Sequence, residues 1–125
     1  MIDPEAISMA FTPIPDSGVI GVEVDGEAVL YHEHALTVHA LNPTATIIWN
    51  CLDGEVSVGE LCDDLAAAFS IQVETLQGDV VEAVREFGRQ GLLEGVLPDE
   101  QAVAANRLTA PEATGPGRPG ASSRE

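Results

Sequence analysis

Three imidazoles and a carboxylate fall within one short stretch of this chain: His32, Glu33, His34 and His39. Imidazole nitrogen and carboxylate oxygen are good donors for zinc, so this is the first place where residue types suggest chemistry. His32 and His34 could share one face of an extended strand, and a hairpin could bring His39 near His32. Against a metal centre, a turn expected at Glu33 breaks the alternation, and a closed structural site wants four ligands, whereas this stretch has no thiol near it in sequence. Cys51 and Cys62 stand eleven positions apart, without the Cys-x-x-Cys spacing of a redox pair or zinc knuckle. They read as small buried hydrophobes. Asp63-Asp64 reads as a solvated helix face, because neighbouring carboxylates arise by chance in so acidic a chain. The chain has no nucleophile elbow, phosphate loop or dinucleotide fingerprint. Neither catalytic residues, nor a metal, nor a cofactor are expected.

The elements that would position these residues are legible. Val19 to Val24 reads as a first strand, Asp25-Gly26 as a hairpin turn and Ala28 to His32 as a second strand. Leu36 to Leu41 reads as a third strand, rich in β-formers. Three strands with short links imply an antiparallel meander. Asn42-Pro43 supplies a cap and a first helical residue for a helix from Thr44 to Leu52, with Ala45, Ile48 and Leu52 on one stripe. Ser57 and Glu60 form a capping-box pair that opens a second helix, with Leu61, Leu65, Ala68 and Phe69 as its apolar stripe. A third helix is expected from Glu74 to Gln90, its core face carrying Leu76, Val80, Ala83, Val84 and Phe87, and Gly91 ends it in a left-handed cap. The fold class is α+β: a three-stranded meander followed by three helices packed on one sheet face. Residues 1–17, punctuated by Pro13 and Pro15, read as a flexible N-terminal arm. Residues 18–97 form the domain. Residues 98–125, filled with Ala, Pro, Gly, Thr and Ser, read as a disordered tail.

Composition narrows the partners. The chain has 125 residues, with 21 acids against five arginines and a formal net charge of −16. Residues 1–97 carry 17 of the acids and only Arg85 and Arg89. Such a surface repels nucleic acid and anionic membranes and favours cationic partners. No apolar run approaches the roughly 18 residues of a spanning helix. Asp3 and Glu5 stand where a signal peptide needs positive charge, so a cytoplasmic protein with reduced thiols is expected.

The stretch VHALNPTATIIWNCLDG, from Val38 to Gly54, is followed by SVGELCDDLAAAF and then by DVVEAVREFGRQGLL. As an ordered set these segments resemble the PqqD-like family. The carrying features are Leu41-Asn42 at the end of the third strand, Trp49 in the following helix, Asp53-Gly54 after it, and Gly91-Leu92-Leu93 after the last helix. The resemblance spans roughly residues 18 to 95. It implies a small winged helix-turn-helix-like domain that holds the leader segment of a ribosomally made precursor peptide. The domain then presents that peptide to a modifying enzyme, a radical SAM enzyme in the pyrroloquinoline quinone case. In the family the leader adds as a strand beside the third strand, packed against the third helix. The chain departs from the minimal family domain in its C-terminal extension, and nothing in it singles out one product.

Topology independently favours the same place. In a meander the third strand is an edge, and an extended peptide can satisfy its unpaired backbone groups. The candidate peptide-binding residues are therefore Leu36, Thr37, Val38, His39 and Ala40 on the strand. Beside the core face of the third helix, Val81, Arg85 and Gly88 form a stripe at i, i+4, i+7 that could serve as a second wall. Two rivals from other classes remain. A winged-helix DNA-binding regulator has compatible fold signals but lacks the Lys and Arg that phosphate contacts need. A non-catalytic structural subunit of an enzyme complex would bind an enzyme but no peptide.

Overall fold

The computed structural model describes residues 1–107 of the chain. Strands β1 (Val19–Val24), β2 (Glu27–His32) and β3 (Thr37–Ala40) form one antiparallel sheet in the order β1-β2-β3. Val24 faces Glu27 across the first turn, and Asp25 and Gly26 both have positive φ, at 54° and 80°. These are the conformations a tight two-residue hairpin with right-handed strand twist requires. β3 is one residue shorter at each end than expected. Leu36 sits in the preceding turn with φ 56° and donates its N–H to the His32 carbonyl at 2.8 Å.

Helix α1 (Pro43–Asn50) starts where Asn42 Oδ1 accepts the Ala45 N–H at 2.8 Å, with Pro43 at the first helical position. Helix α2 (Val58–Phe69) has the full reciprocal capping box between Ser57 and Glu60. Helix α3 (Val73–Arg89) buries Leu76, Val80, Val84 and Phe87. Gly91 takes φ 80° just beyond its end, a conformation cheap for glycine. The core lies between the inward sheet face, where Ala28 and Leu30 are buried, and the helices, which contribute Ile48, Leu61 and Leu65. The α2 stripe ends sooner than its spacing suggested. Ala66 and Cys62 are buried, while Ala68 and Phe69 face out, Phe69 being 53% exposed.

Two expectations about the flanks need correction. Residues 1–17 are not a free arm. Pro4–Ala6 form a short 3-10 helix, and Ile7 and Pro13 are fully buried. The Ile2 N–H donates to the Gly95 carbonyl at 3.0 Å, the Asp16 N–H to the Leu92 carbonyl and the Val58 N–H to the Phe11 carbonyl, each at 2.8 Å. Ile7 joins the core, and the Arg85 guanidinium of α3 donates to its carbonyl. Nor does structure stop at Pro98. A fourth helix, α4 (Glu100–Ala105), is capped by Asp99, whose Oδ1 accepts the Gln101 N–H at 2.9 Å, and it buries Val103. The rest of the expected tail, 108–125, lies outside the described residues. Among those described, no helix is long and apolar enough to cross a membrane.

Candidate functional site

A groove of about 460 Å³ opens between β3 and α3. Its floor is apolar, made by Ile48 of α1, Phe87 of α3 and Leu92. Trp49 packs edge-on against Phe87, with ring centroids 5.2 Å apart, and so braces that floor from α1. One wall is β3 and its continuation, His39, Ala40 and Leu41. The other is α3, presenting Asp79, Glu82, Ala83 and Glu86, with Gln90 just past its end.

β3 offers backbone as well as side chains. Its inner edge pairs with β2, with His39 opposite Leu30 and Val38 opposite Tyr31. Alternation in an antiparallel ladder sends neighbouring N–H groups to opposite edges. The Leu41 N–H donates inward to the Ala28 carbonyl at 2.8 Å, and the Val38 N–H donates outward to the Asn106 carbonyl at 3.0 Å. The His39 N–H therefore faces β2, and the Val38 and Ala40 N–H groups face the outer edge. Side chains alternate the other way: Thr37 and His39 are buried, Val38 is half-buried and Ala40 is exposed.

The strand half of the expected site meets the groove at His39 and Ala40, and Thr37 and Val38 continue the same edge. Leu36 lies outside the strand, in the turn. The helical half does not meet it. Val81, Arg85 and Gly88 lie on the opposite flank of the core stripe, where Arg85 and Gly88 meet the N-terminal segment. The Arg85 guanidinium donates to the Ile7 carbonyl from Nε at 3.2 Å and from Nη2 at 2.9 Å. A Cβ on Gly88 would stand 2.8 Å from Val96 Cγ1 and 3.4 Å from Ile7 Cδ1. An amphipathic helix has two flanks beside its core stripe, and spacing alone does not say which one borders the strand. The missed groove residues are Asp79, Glu82, Ala83, Glu86 and Gln90. The signal that could have found them is the N-terminal segment itself: Ile2, Ile7, Met9, Phe11 and Ile14 make it too apolar for a solvated arm, so it must cover one flank.

The electrostatics of the groove are acidic. Arg89 binds Glu5 at 2.7 Å, Glu82 at 2.9 Å and Glu86 at 2.7 Å. The hydrogen bond to Glu5, then those to Glu82 and Glu86, raise its already high pKa, and the same pairing with Arg89 lowers that of Glu5. Asp79 has no ion-pair partner among the described residues.

The histidines are structural fastenings in this geometry. His32 Nδ1 accepts the N–H groups of His34 and Ala35, each at 3.2 Å, and Nε2 lies 3.4 Å from Asp16 Oδ1. This ties the β2–β3 turn to the N-terminal segment. His39 Nε2 sits 2.9 Å from Thr37 Oγ1. No group of three or more His, Cys, Asp or Glu among the described residues is arranged to hold a metal ion. Burial, with Asp64 and Asp53 adding to it, raises the Cys51 thiol pKa, and burial with Asp63 raises that of Cys62. Both thiols are thus poor nucleophiles at neutral pH.

Burial depresses the His39 pKa, with His32 adding to the effect and Glu86 opposing it. The unfolded chain therefore binds a proton at this position more readily than the folded one. The stabilising contribution of neutral His39 is complete above the ordinary imidazole pKa of about 6.5, and it is lost as pH falls through the depressed native value. We expect the urea midpoint to fall between pH 7.5 and pH 5.5, and His39→Gln to flatten that fall. An unchanged slope in the variant would assign the pH dependence to other groups.

Comparison with known proteins places this geometry. A sequence profile described as Coenzyme PQQ synthesis protein D (PqqD) matches residues 27–93, which takes in β2, β3 and all of α1 to α3. No curated protein sequence matches the chain. Among solved structures, TbiB1 in complex with the TbiA(beta) leader peptide superposes with a TM-score of 0.59 at 26% identity. The match covers 67% of this chain and 98% of the TbiB1 chain.

Proposed function

The chain belongs to the PqqD family, and from that premise we propose that it binds the leader segment of a ribosomally made precursor peptide and presents it to a modifying enzyme. The observation that carries the reading is the outer edge of β3, which pairs with no other strand of the sheet, alongside an apolar-floored groove. An extended peptide adds to such an edge through its backbone and places alternate side chains in the groove. The similar TbiB1 structure holds a leader peptide. The residues we assign to binding are Thr37, Val38, His39 and Ala40, with Asp79, Glu82, Ala83 and Glu86 as the facing wall. We read the chain as non-catalytic, with chemistry supplied by its partner enzyme, of the radical SAM type in one branch of the family. The test is calorimetric titration with synthetic leaders of short reading frames flanking its gene. Failure of every such peptide to bind the folded protein would sink the proposal.

Charge favours one kind of leader. With unpaired Asp79 on the wall, Glu82 and Glu86 sharing the single charge of Arg89 with Glu5, and two arginines against 17 acids in residues 1–97, a basic peptide is steered in. Raising salt from about 50 to 500 mM should slow association about three- to tenfold. Asp79→Lys should slow it further at low salt. Stopped-flow rates that ignore salt, or rise with it, would remove steering from the account. The same charges argue against DNA binding by this face, since phosphates would meet carboxylates rather than Lys or Arg.

A further inference from the structure

We propose that the chain's own segment 99–107 is a built-in competitor for the β3 edge, a clasp that an incoming strand must displace. This rests on the peptide-binding reading above and adds its regulation.

Three observations carry it. The outward N–H of Val38, one of the donors a bound strand would need, is already donated to the Asn106 carbonyl at 3.0 Å. Thr37 and Arg107 face each other as an antiparallel bridge, so the segment imitates strand addition at one end of the edge. The Asn106 side chain lines the groove and donates from Nδ2 to Gln90 Oε1 at 2.7 Å. One short segment thus spans from β3 to α3, the two walls a leader would occupy.

Its anchorage is light. α4 has six residues, fewer than a helix needs to hold itself, and Val103 is its one buried side chain at 8% exposure. Val103 Cγ2 rests 3.6 Å from where a Cβ of Gly91 would stand, so the seat lies at the end of α3. Asp99 fastens the other end by donating its N–H to the Arg89 carbonyl at 2.8 Å. Tethering keeps the clasp at a high effective concentration. A leader then sees only the fraction of molecules with the edge free, and its apparent affinity falls by that fraction.

The test uses the full chain and two variants. Val103→Asp removes the anchor, and the double variant Ala104→Gly/Ala105→Gly loosens α4 at exposed positions without touching the core. A phage-displayed library of random peptides is panned on each of the three proteins, and selected peptides are titrated against all three. We expect binding about fivefold or more tighter to Val103→Asp than to the native chain, with the double glycine variant between them. Amide exchange at Val38 should accelerate in the same order. Equal affinities for all three proteins, or unchanged Val38 exchange in Val103→Asp, overturn the clasp. A library that yields no peptide contacting β3 on any of them, with Val38 exchange accelerated as expected, overturns the leader reading and with it the competition.

Discussion

Replacing Val38 by proline is expected to leave a folded protein that no longer takes up peptide, whereas the same replacement at His39 should unfold the sheet. Proline removes one backbone donor and cannot serve a central ladder. The Val38 N–H points to the outer edge, where its partner is Asn106. Its loss costs β2 nothing, but an added strand loses an anchor and meets the pyrrolidine ring. Peptide affinity should fall at least about tenfold, which corresponds to about 1.4 kcal/mol. The His39 N–H points to β2, opposite Leu30. Proline there leaves a buried carbonyl without its donor, at about 1–3 kcal/mol, and displaces a buried side chain as well. Far-UV circular dichroism with thermal melting separates the two variants, and titration completes the comparison. A folded Val38→Pro protein that binds peptide with native affinity would rule out strand addition on β3.

The second large effect concerns Gly88. Read as part of a binding stripe, it should tolerate small side chains and alter only peptide affinity. In the fold it is buried, and a Cβ would come within 2.8 Å of Val96 Cγ1, with Ile7 Cδ1 and Pro4 Cβ close behind. Gly88→Val should therefore destabilise the protein by about 1–3 kcal/mol through overpacking. The variant should melt several degrees lower than the native protein. Its β3–α3 groove lies on the other flank of α3, so peptide affinity of the folded fraction should change little. A stable variant with impaired binding would return Gly88 to the binding surface. Alanine at the same position is a weaker probe, since its better helix propensity offsets part of the clash.

Much of the local structure was legible because its causes are local. Asp25-Gly26 adopts the positive φ values of a tight hairpin, Asn42-Pro43 caps α1, Ser57 and Glu60 close a capping box, and Gly91 ends α3. Each of these depends on a few neighbouring residues and on backbone sterics. The core stripe of α3 was equally clear, since Leu76, Val80, Val84 and Phe87 repeat at the helical period. The α+β class and the place of β3 at a sheet edge followed from element order.

The N-terminal segment and α4 escape a local reading of the sequence for a shared reason. Their stability comes from contacts with distant residues: Ile7 with the core beside α3, Ile2 with Gly95 and Leu97, Val38 with Asn106. Prolines and small residues signal flexibility only so far as their immediate neighbours go. By itself, then, the sequence determined the three strands and α1 to α3, the core stripe of α3, the acidity and the place of β3 at the end of the sheet, because periodicity, capping chemistry and charge are properties of short stretches. Only the tertiary structure decided which flank of α3 faces β3. One side of the core stripe is covered by residues 1–17 and the other is left open as the groove, and that choice is made by long-range packing that no local pattern encodes.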